Sequence, residues 1–298
     1  MLRNRAFDLM CVASFRGPCL EELSRLNGLV PFPPMVFIDG ADDSRIRQEF
    51  VERYPVGIYF KRDYIWTMGT GLSDLIKREW AFRGDRSLFA RTLPLPVSLI
   101  LEVLPGIGQV CKDIDISYTG RASHPRRARA AEILSHMNGV RFEGGIYASP
   151  EDRKYKLVAG CVRRLYTKLF QNDRANESDQ KRKKGPEVYY HEIARSKIAL
   201  AIRGGGATPS PRYYEIAAMK TLLLSDMPET VIPNNFVNRE HAVFCKPDLS
   251  DLESLVRYYL REDEEREAIA CQGHVHLLKY HTCERRAEYF LEACRRIL

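Results

Sequence analysis

The sequence predicts an α/β protein made of two successive parallel-sheet units, and three observations carry the prediction. Short apolar runs alternate with polar, helix-periodic stretches through FDLMCVAS, PMVFIDG and VGIYF. A stretch broken by proline and glycine follows, TLPLPVSLILEVLPGIGQ (92–109), and the same rhythm then restarts at DIDISYTG (113–120). Apolar runs separated by amphipathic segments are what strands joined by crossover helices look like, and a parallel sheet requires such crossovers.

In the first half the three apolar runs are the expected strands. Between residues 92 and 109, Pro94, Pro96, Pro105, Gly106 and Gly108 interrupt any long element, so a domain crossover is placed there. The second half begins with strand 113–120, continues through an arginine-rich helix over 124–137 (HPRRARAAEILSHM), and reaches a strand at 140–147 (VRFEGGIY). A highly charged stretch over 151–186 reads as a surface loop. Then come a helix (EVYYHEIARS), a strand (KIALAI), a glycine-rich turn (RGGGATPSP), a helix (RYYEIAAMK) and a strand (TLLLSD). The remainder, from about residue 249, is helical by its apolar spacing.

Composition removes several classes. The chain has 298 residues, of which 45% are hydrophobic and 29% charged, enough apolar material for a folded core. This length suits about two domains. No run approaches the roughly 18 apolar residues of a membrane span, and the start lacks a signal-peptide pattern, so a cytoplasmic protein with no membrane span is expected. Eight cysteines form no C-x-x-C pair and read as reduced thiols. The net charge of +7 favours an acidic ligand or acceptor, but only modestly. Lys181, Arg182, Lys183 and Lys184 lie together without aromatic neighbours, which reads as a solvated loop; nucleic acid is therefore an alternative partner and not the expected one.

The most informative stretch is AIRGGGATPSPRYYEIAAMKTLLLSD (201–226). A strand ends near Ile202, and Gly204, Gly205 and Gly206 permit backbone conformations and close ligand approach that side chains would block. Ser210 before Pro211 suits an N-cap and first helical position. Strand, glycine loop and helix start together present backbone N–H groups to an anion, and a phosphate fits there. Arg203 and Arg212 flank the loop, and the Glu215 carboxylate is placed to accept two hydrogen bonds from vicinal hydroxyls such as those of a ribose. The stretch matches neither G-x-x-x-x-G-K-[ST] nor G-x-G-x-x-G, which counts against ATPase and dehydrogenase readings.

The pattern as a whole, R-Y-Y-E-I-A-A, T-L-L-L-S-D, D-L-x-x-L-x-x-Y-Y-L, R-E-A-I-A, G-H and H-T-x-x-x-R, resembles the C-terminal half of glycosyltransferases of the spore-maturation-protein type. It extends more loosely back through DISYTGRASHPRR and YFKRDY. The resemblance implies a GT-B fold: two Rossmann-like domains facing across a cleft, here residues 1–105 on the acceptor side and 106–283 holding the nucleotide sugar. A closing helix over 284–298 would return to the first domain. It further implies donor binding by Gly204, Gly205, Gly206, Ser210, Arg212, Tyr214 and Glu215, with Arg203 alongside. Gly120, Arg121 and Arg126 are added because DISYTG runs from a strand into a loop at the carboxyl edge, where open α/β sheets bind ligands. Arg126 and its neighbour Arg127 read equally well as solvent-facing helix residues.

Transfer of a sugar requires stabilising the departing diphosphate and accepting the acceptor's proton. Asp39 and Asp63, each near a strand end, are the expected catalytic bases; a turn-forming or capping aspartate is the other reading of each. No metal and no resident cofactor is expected, the nucleotide sugar being the donor substrate. His274, His276 and His281 read as helical surface residues, with no fourth ligand at zinc spacing. Against the transferase stand a donor-binding protein without catalysis and a nucleic-acid-binding protein.

Overall fold

The computed structural model describes residues 7–13, 18–66, 72–108, 110–147, 185–204 and 206–298. Two parallel sheets organise them. The first has the strand order β1 (Met10–Val12), β2 (Met35–Asp39), β3 (Val56–Lys61) and β4 (Thr92–Pro94). Its crossovers contain α1 (Pro18–Leu26), α2 (Gln48–Arg53), and α3 (Leu72–Phe82) with α4 (Arg86–Ala90). Alternation along the strands gives the sheet two apolar faces. Phe37 and Tyr59 point into one core with Phe50, Trp66 and Phe82, while Val36, Ile58 and Phe60 point into another.

The second sheet has the order β6 (Phe142–Tyr147), β5 (Ile114–Arg121), β7 (Ser196–Ala201), β8 (Leu222–Asp226) and β9 (Val243–Cys245), all parallel. From β5 the chain steps outward to β6, then returns past β5 to β7. The order therefore reverses between β5 and β7, and the crevice outside their carboxyl ends is where such sheets take ligands. In the first sheet the strands run in simple sequence order, without such a reversal among the described residues.

Helices cover both faces of the second sheet: α5 (Pro125–Ser135), α6 (Pro186–Arg195), α7 (Arg212–Ala218), α8 (Leu252–Arg261) and α9 (Asp263–Tyr280). One core joins Ile116, Ile198, Leu200 and Leu224 to Leu252, Val256 and Ile269; the other joins Ala199 and Leu223 to Tyr213, Ile216 and Leu277. The last helix, α10 (Cys283–Cys294), packs on the first sheet. Its Phe290 ring lies 4.8 Å from that of Phe60. Where the chain passes between the two sheets, Leu99 N donates to His281 O at 3.0 Å and Cys283 N to Leu99 O at 2.9 Å.

Several expectations need adjustment. The broken stretch over 92–109 does contain short structure: β4 and a 3-10 turn at Leu101–Val103. Pro94 is tolerated because β4 is an edge strand. The three-residue β9 is too short to stand out as an apolar run. His281 follows α9 and is wholly buried, not a surface residue. The expected loop over 151–186, with Lys181 to Lys184, lies almost entirely outside the described residues. Among those described, no helix is long and apolar enough to cross a membrane.

Candidate active site

The carboxyl ends of β5 and β7 bring together the glycine loop and the arginine-rich start of α5. Arg127 is 8% exposed, and its Nε donates to the carbonyls of Ile202 (3.0 Å) and Arg203 (3.2 Å). Its Nη1 donates to Ser123 Oγ at 3.0 Å. Arg127 is thus a strut under the loop, and the solvent-facing alternative does not apply to it. A side chain at Gly204 would meet the Arg127 guanidinium at 3.4 Å, so glycine lets loop and arginine approach.

Asp226, at the end of β8, organises the neighbouring cations. It accepts from Arg126 Nη1 at 3.0 Å, from Arg203 Nε at 2.9 Å and from the Arg203 backbone N–H at 3.1 Å. Arg203 Nη2 reaches on to Glu229 at 2.6 Å. Arg121, Arg126, Arg127, Arg203 and Arg212 outnumber Glu215, Asp226 and Glu229 by two charges. The field registers on His124, whose pKa is lowered first by burial and then by Arg126, Arg203 and Arg127, against the pull of Asp226. His124 also caps α5, its Nδ1 accepting from Arg126 N at 3.2 Å.

A second cluster forms where α6 meets α7. Glu215 Oε2 accepts from Tyr189 Oη at 2.7 Å and Oε1 from Tyr190 Oη at 3.2 Å. Arg212 Nε donates to Tyr189 Oη at 3.0 Å, and its guanidinium lies over the rings of Tyr189 (5.6 Å) and Tyr118 (5.9 Å). Burial, reinforced by the Glu215 charge, pushes Tyr190 up to about 12, so its hydroxyl stays a donor. Each carboxylate oxygen retains acceptor capacity beyond these two bonds.

The expected site residues divide accordingly. Gly204, Gly206, Arg203, Arg126, Gly120 and Arg121 gather at the β5–β7 edge, with Arg212 and Glu215 on the adjoining helix; Gly205 lies outside the described residues. Tyr214 does not join them. One residue from Glu215 on α7, it turns about 100° away into the core, its ring 5.2 Å from that of His281. Nor does Ser210 act as a side-chain cap. The helix starts at Arg212 with Pro211 before it, and the Ser210 carbonyl accepts from Tyr213 N at 3.0 Å while its buried Oγ finds no partner. With seven residues α7 has a small dipole, and the N–H groups of Arg203, Ala207 and Thr208 are taken by Asp226 and Asp63, so anion attraction here falls to the arginines.

Neither expected base is open to an acceptor. Asp39 is fully buried: Oδ2 accepts from Tyr59 Oη (2.6 Å) and Lys61 Nζ (2.8 Å), and Oδ1 from Ala41 N (3.0 Å). Asp63 is equally buried and accepts from Ala207 N (3.2 Å), Thr208 N (3.3 Å) and Thr208 Oγ1. Both carboxylates hold structure in place. Besides Glu229, Asp42 is an exposed carboxylate nearby; it pairs with Arg62, and the Asp42 backbone oxygen would lie 3.7 Å from a Cβ at Gly206. Among the described residues no three His, Cys, Asp or Glu side chains gather to hold a metal ion.

Sequence reasoning missed Tyr189, Tyr190 and Asp226. The tyrosines lie in the expected helix EVYYHEIARS and Asp226 closes the expected strand TLLLSD, but nothing local in either element marks these side chains as partners of Glu215 or of the arginines.

The glycine loop, Glu215 and Asp226 all fall in one segment of recognisable kind. Residues 154–292 match the glycosyl transferase-like family model. The matched segment also contains α6 through α9 and most of α10. No curated protein sequence matches the chain. Among solved structures, it is similar to TarM of S. aureus at 11% identity and TM-score 0.56, covering 96% of this chain and 54% of TarM. It is similar also to HepE (Alr3699) of Anabaena, solved in complex with UDP-glucose, at 10% identity and TM-score 0.58, covering 97% and 79%. Sucrose-phosphate synthase of Thermosynechococcus elongatus gives 11% identity and TM-score 0.53, covering 93% and 77%. The chain spans about half the length of TarM. These likenesses show the fold: α/β with parallel sheets, as in GT-B glycosyltransferases.

Proposed function

We propose that the protein is a glycosyltransferase that moves a sugar from a nucleotide-sugar donor to an acidic acceptor, without a metal or resident cofactor. The observation that carries this reading is the meeting, at the β5–β7 reversal, of a glycine loop, an excess of arginine and a tyrosine-held carboxylate at Glu215. The glycosyl transferase-like match over this segment supports it, as does the likeness to a HepE structure holding UDP-glucose. The sequence motifs favour the spore-maturation-protein type within the group. In this reading residues 1–105 and 106–283 are the acceptor-side and donor domains.

Each task then has a residue. Glu215, oriented by Tyr189 and Tyr190, accepts the hydroxyls of the donor ribose. Gly204 to Gly206 let the diphosphate approach the backbone, and Arg203, Arg126 and Arg121 face the charge that develops as the bond to the sugar breaks. Asp226 holds two of these guanidinium groups in position before the donor arrives, so little reorganisation is needed during reaction. Asp42 replaces Asp39 and Asp63 as the base that takes the acceptor proton, being exposed at the loop.

The test is a panel of nucleoside diphosphates and nucleotide sugars, with calorimetry for binding and mass spectrometry for sugar release, run on the protein and on Glu215→Ala and Asp42→Asn. One nucleotide should bind and release its sugar slowly. Glu215→Ala should lose binding, and Asp42→Asn should keep binding while losing turnover. Absence of binding by every nucleotide would overturn the reading. Binding without sugar release in any assay would favour a donor-binding protein, an outcome that the burial of Asp39 and Asp63 makes worth separating.

A further inference from the structure

A cavity of about 650 Å³ lies away from the glycine loop, between α10 and the turn at Pro233 and Asn234. Lys279, Arg285, Arg286 and Arg295 line it together with Glu288 and Glu292, and the four cations are not equivalent. Arg285 pairs with Glu288 at 2.8 Å and Arg295 with Glu292 at 2.6 Å, each with a neighbour on its own helix. Arg286 has no carboxylate at ion-pair distance among the described residues. It is only 7% exposed, and its contacts are a 3.4 Å bond from Nη2 to His281 Nδ1 and the ring of Tyr289, 6.0 Å away. Its Nε makes no hydrogen bond. Two further buried polar atoms without partners belong to the same neighbourhood, Tyr214 Oη and His281 Nε2, on rings 5.2 Å apart.

A buried guanidinium cannot relieve its desolvation by losing a proton, so a counter-charge or several good acceptors are needed to keep it. A neutral imidazole at 3.4 Å is a poor substitute. Lys279, exposed on the rim with its Nζ over the Tyr280 ring at 4.9 Å, adds a second positive charge without a carboxylate partner among the described residues. The cavity is large enough for a phosphate and part of the molecule that carries it.

We propose that this cavity is an oxyanion site in which Arg286 and Lys279 bind a phosphate group. The site is separate from the donor loop. Its assignment to the phosphate of an acidic acceptor rests on the glycosyltransferase reading; its affinity for phosphate does not.

The experiment follows the arginine Nε–Hε resonances of the full chain during titration with inorganic phosphate at constant ionic strength. The Arg286 signal is identified by its disappearance in Arg286→Gln. It should shift saturably, and Lys279→Ala should require several-fold more phosphate for the same shift. By calorimetry, Arg286→Gln should weaken this binding by about tenfold to a hundredfold, the worth of a charge-assisted hydrogen bond. Because Lys279 is exposed, its variant tests the site even if Arg286→Gln folds poorly. Glu215→Ala should leave the Arg286 shift intact, which separates failure of this site from failure of the donor reading. Tighter binding of a sugar phosphate than of inorganic phosphate supports acceptor recognition, and equal binding supports a site for the free ion. An Arg286 signal that stays still while other arginines shift, or a saturable shift that Lys279→Ala leaves unchanged, overturns the proposal.

Discussion

The carboxylate of Asp63, at the end of the first sheet's third strand, accepts hydrogen bonds from both the backbone N–H and the hydroxyl of Thr208, 145 residues further along the chain. The glycine loop of the second sheet is thereby tied to the first. A Cβ at Gly206 would come within 2.9 Å of Asp63 Oδ2, so a side chain there would push on this carboxylate. Asp63→Asn places an amide against donors and should cost about 1–3 kcal/mol. Urea denaturation of Asp63→Asn, Thr208→Val and the double variant checks this: the two losses should not add, since they break one contact. Additive losses would mean that the contact is not formed in solution.

Lys61 is buried with Asp39, Nζ to Oδ2 at 2.8 Å. Removing one member leaves the other charge without its partner in the core. Lys61→Met should therefore cost about 3–5 kcal/mol. A loss under 1 kcal/mol, read by chemical denaturation, would show that Tyr59 and Arg47, whose Nε lies 3.8 Å from the same oxygen, suffice to hold the carboxylate.

Gly273 sits inside α9, where alanine would ordinarily add helix propensity of about 1 kcal/mol. Here a Cβ would lie 2.3 Å from the carbonyl oxygen of His241, a backbone atom that cannot rotate aside. The clash outweighs the propensity, so Gly273→Ala should lower the melting temperature. A rise would mean that the 241 segment yields freely.

His281 is held down to about 3, first by burial and then by the charges of Arg286 and His276. Between about pH 6.5 and 3 the unfolded chain binds a proton that the folded chain refuses, so stability is full above 6.5 and falls as the solution is acidified. At pH 5 this group accounts for about 2 kcal/mol. His124, His241 and His274 are lowered as well and act in the same direction, so the contribution is isolated by comparison with His281→Asn. The variant should lose less stability between pH 7.5 and 5; an equal loss would contradict the assignment.

Tyr189 donates to Glu215 and receives from Arg212, which makes it the support of the proposed ribose-binding carboxylate. Tyr189→Phe should weaken nucleotide binding by about tenfold, the worth of one hydrogen bond to a charged group. Calorimetry against the nucleotide that binds is the check, with Glu215→Ala as the reference for full loss. Unchanged affinity would place the ribose elsewhere.

What was legible in the residues was local. Apolar runs such as KIALAI and TLLLSD, the glycines after Arg203 and the restart at DIDISYTG announced the strands, the loop and the two successive units, because strand formation and turn chemistry depend on neighbours in sequence. Tertiary structure decided the rest. Helical rotation separates Tyr214 from Glu215, but the position of the core settles which of them is drawn into the interior. Asp226 becomes the anchor of two arginines only because β8 lies beside β7 and places its end next to the loop. Asp39 and Asp63 looked like exposed strand-end carboxylates until the partners that bury them, Lys61 and Thr208, came from other parts of the chain. Sequence thus determined which segments form strands, helices and a glycine-rich loop. The charge state, partners and accessibility of individual side chains were set by long-range packing, because desolvation and ion pairing depend on what surrounds a group in space.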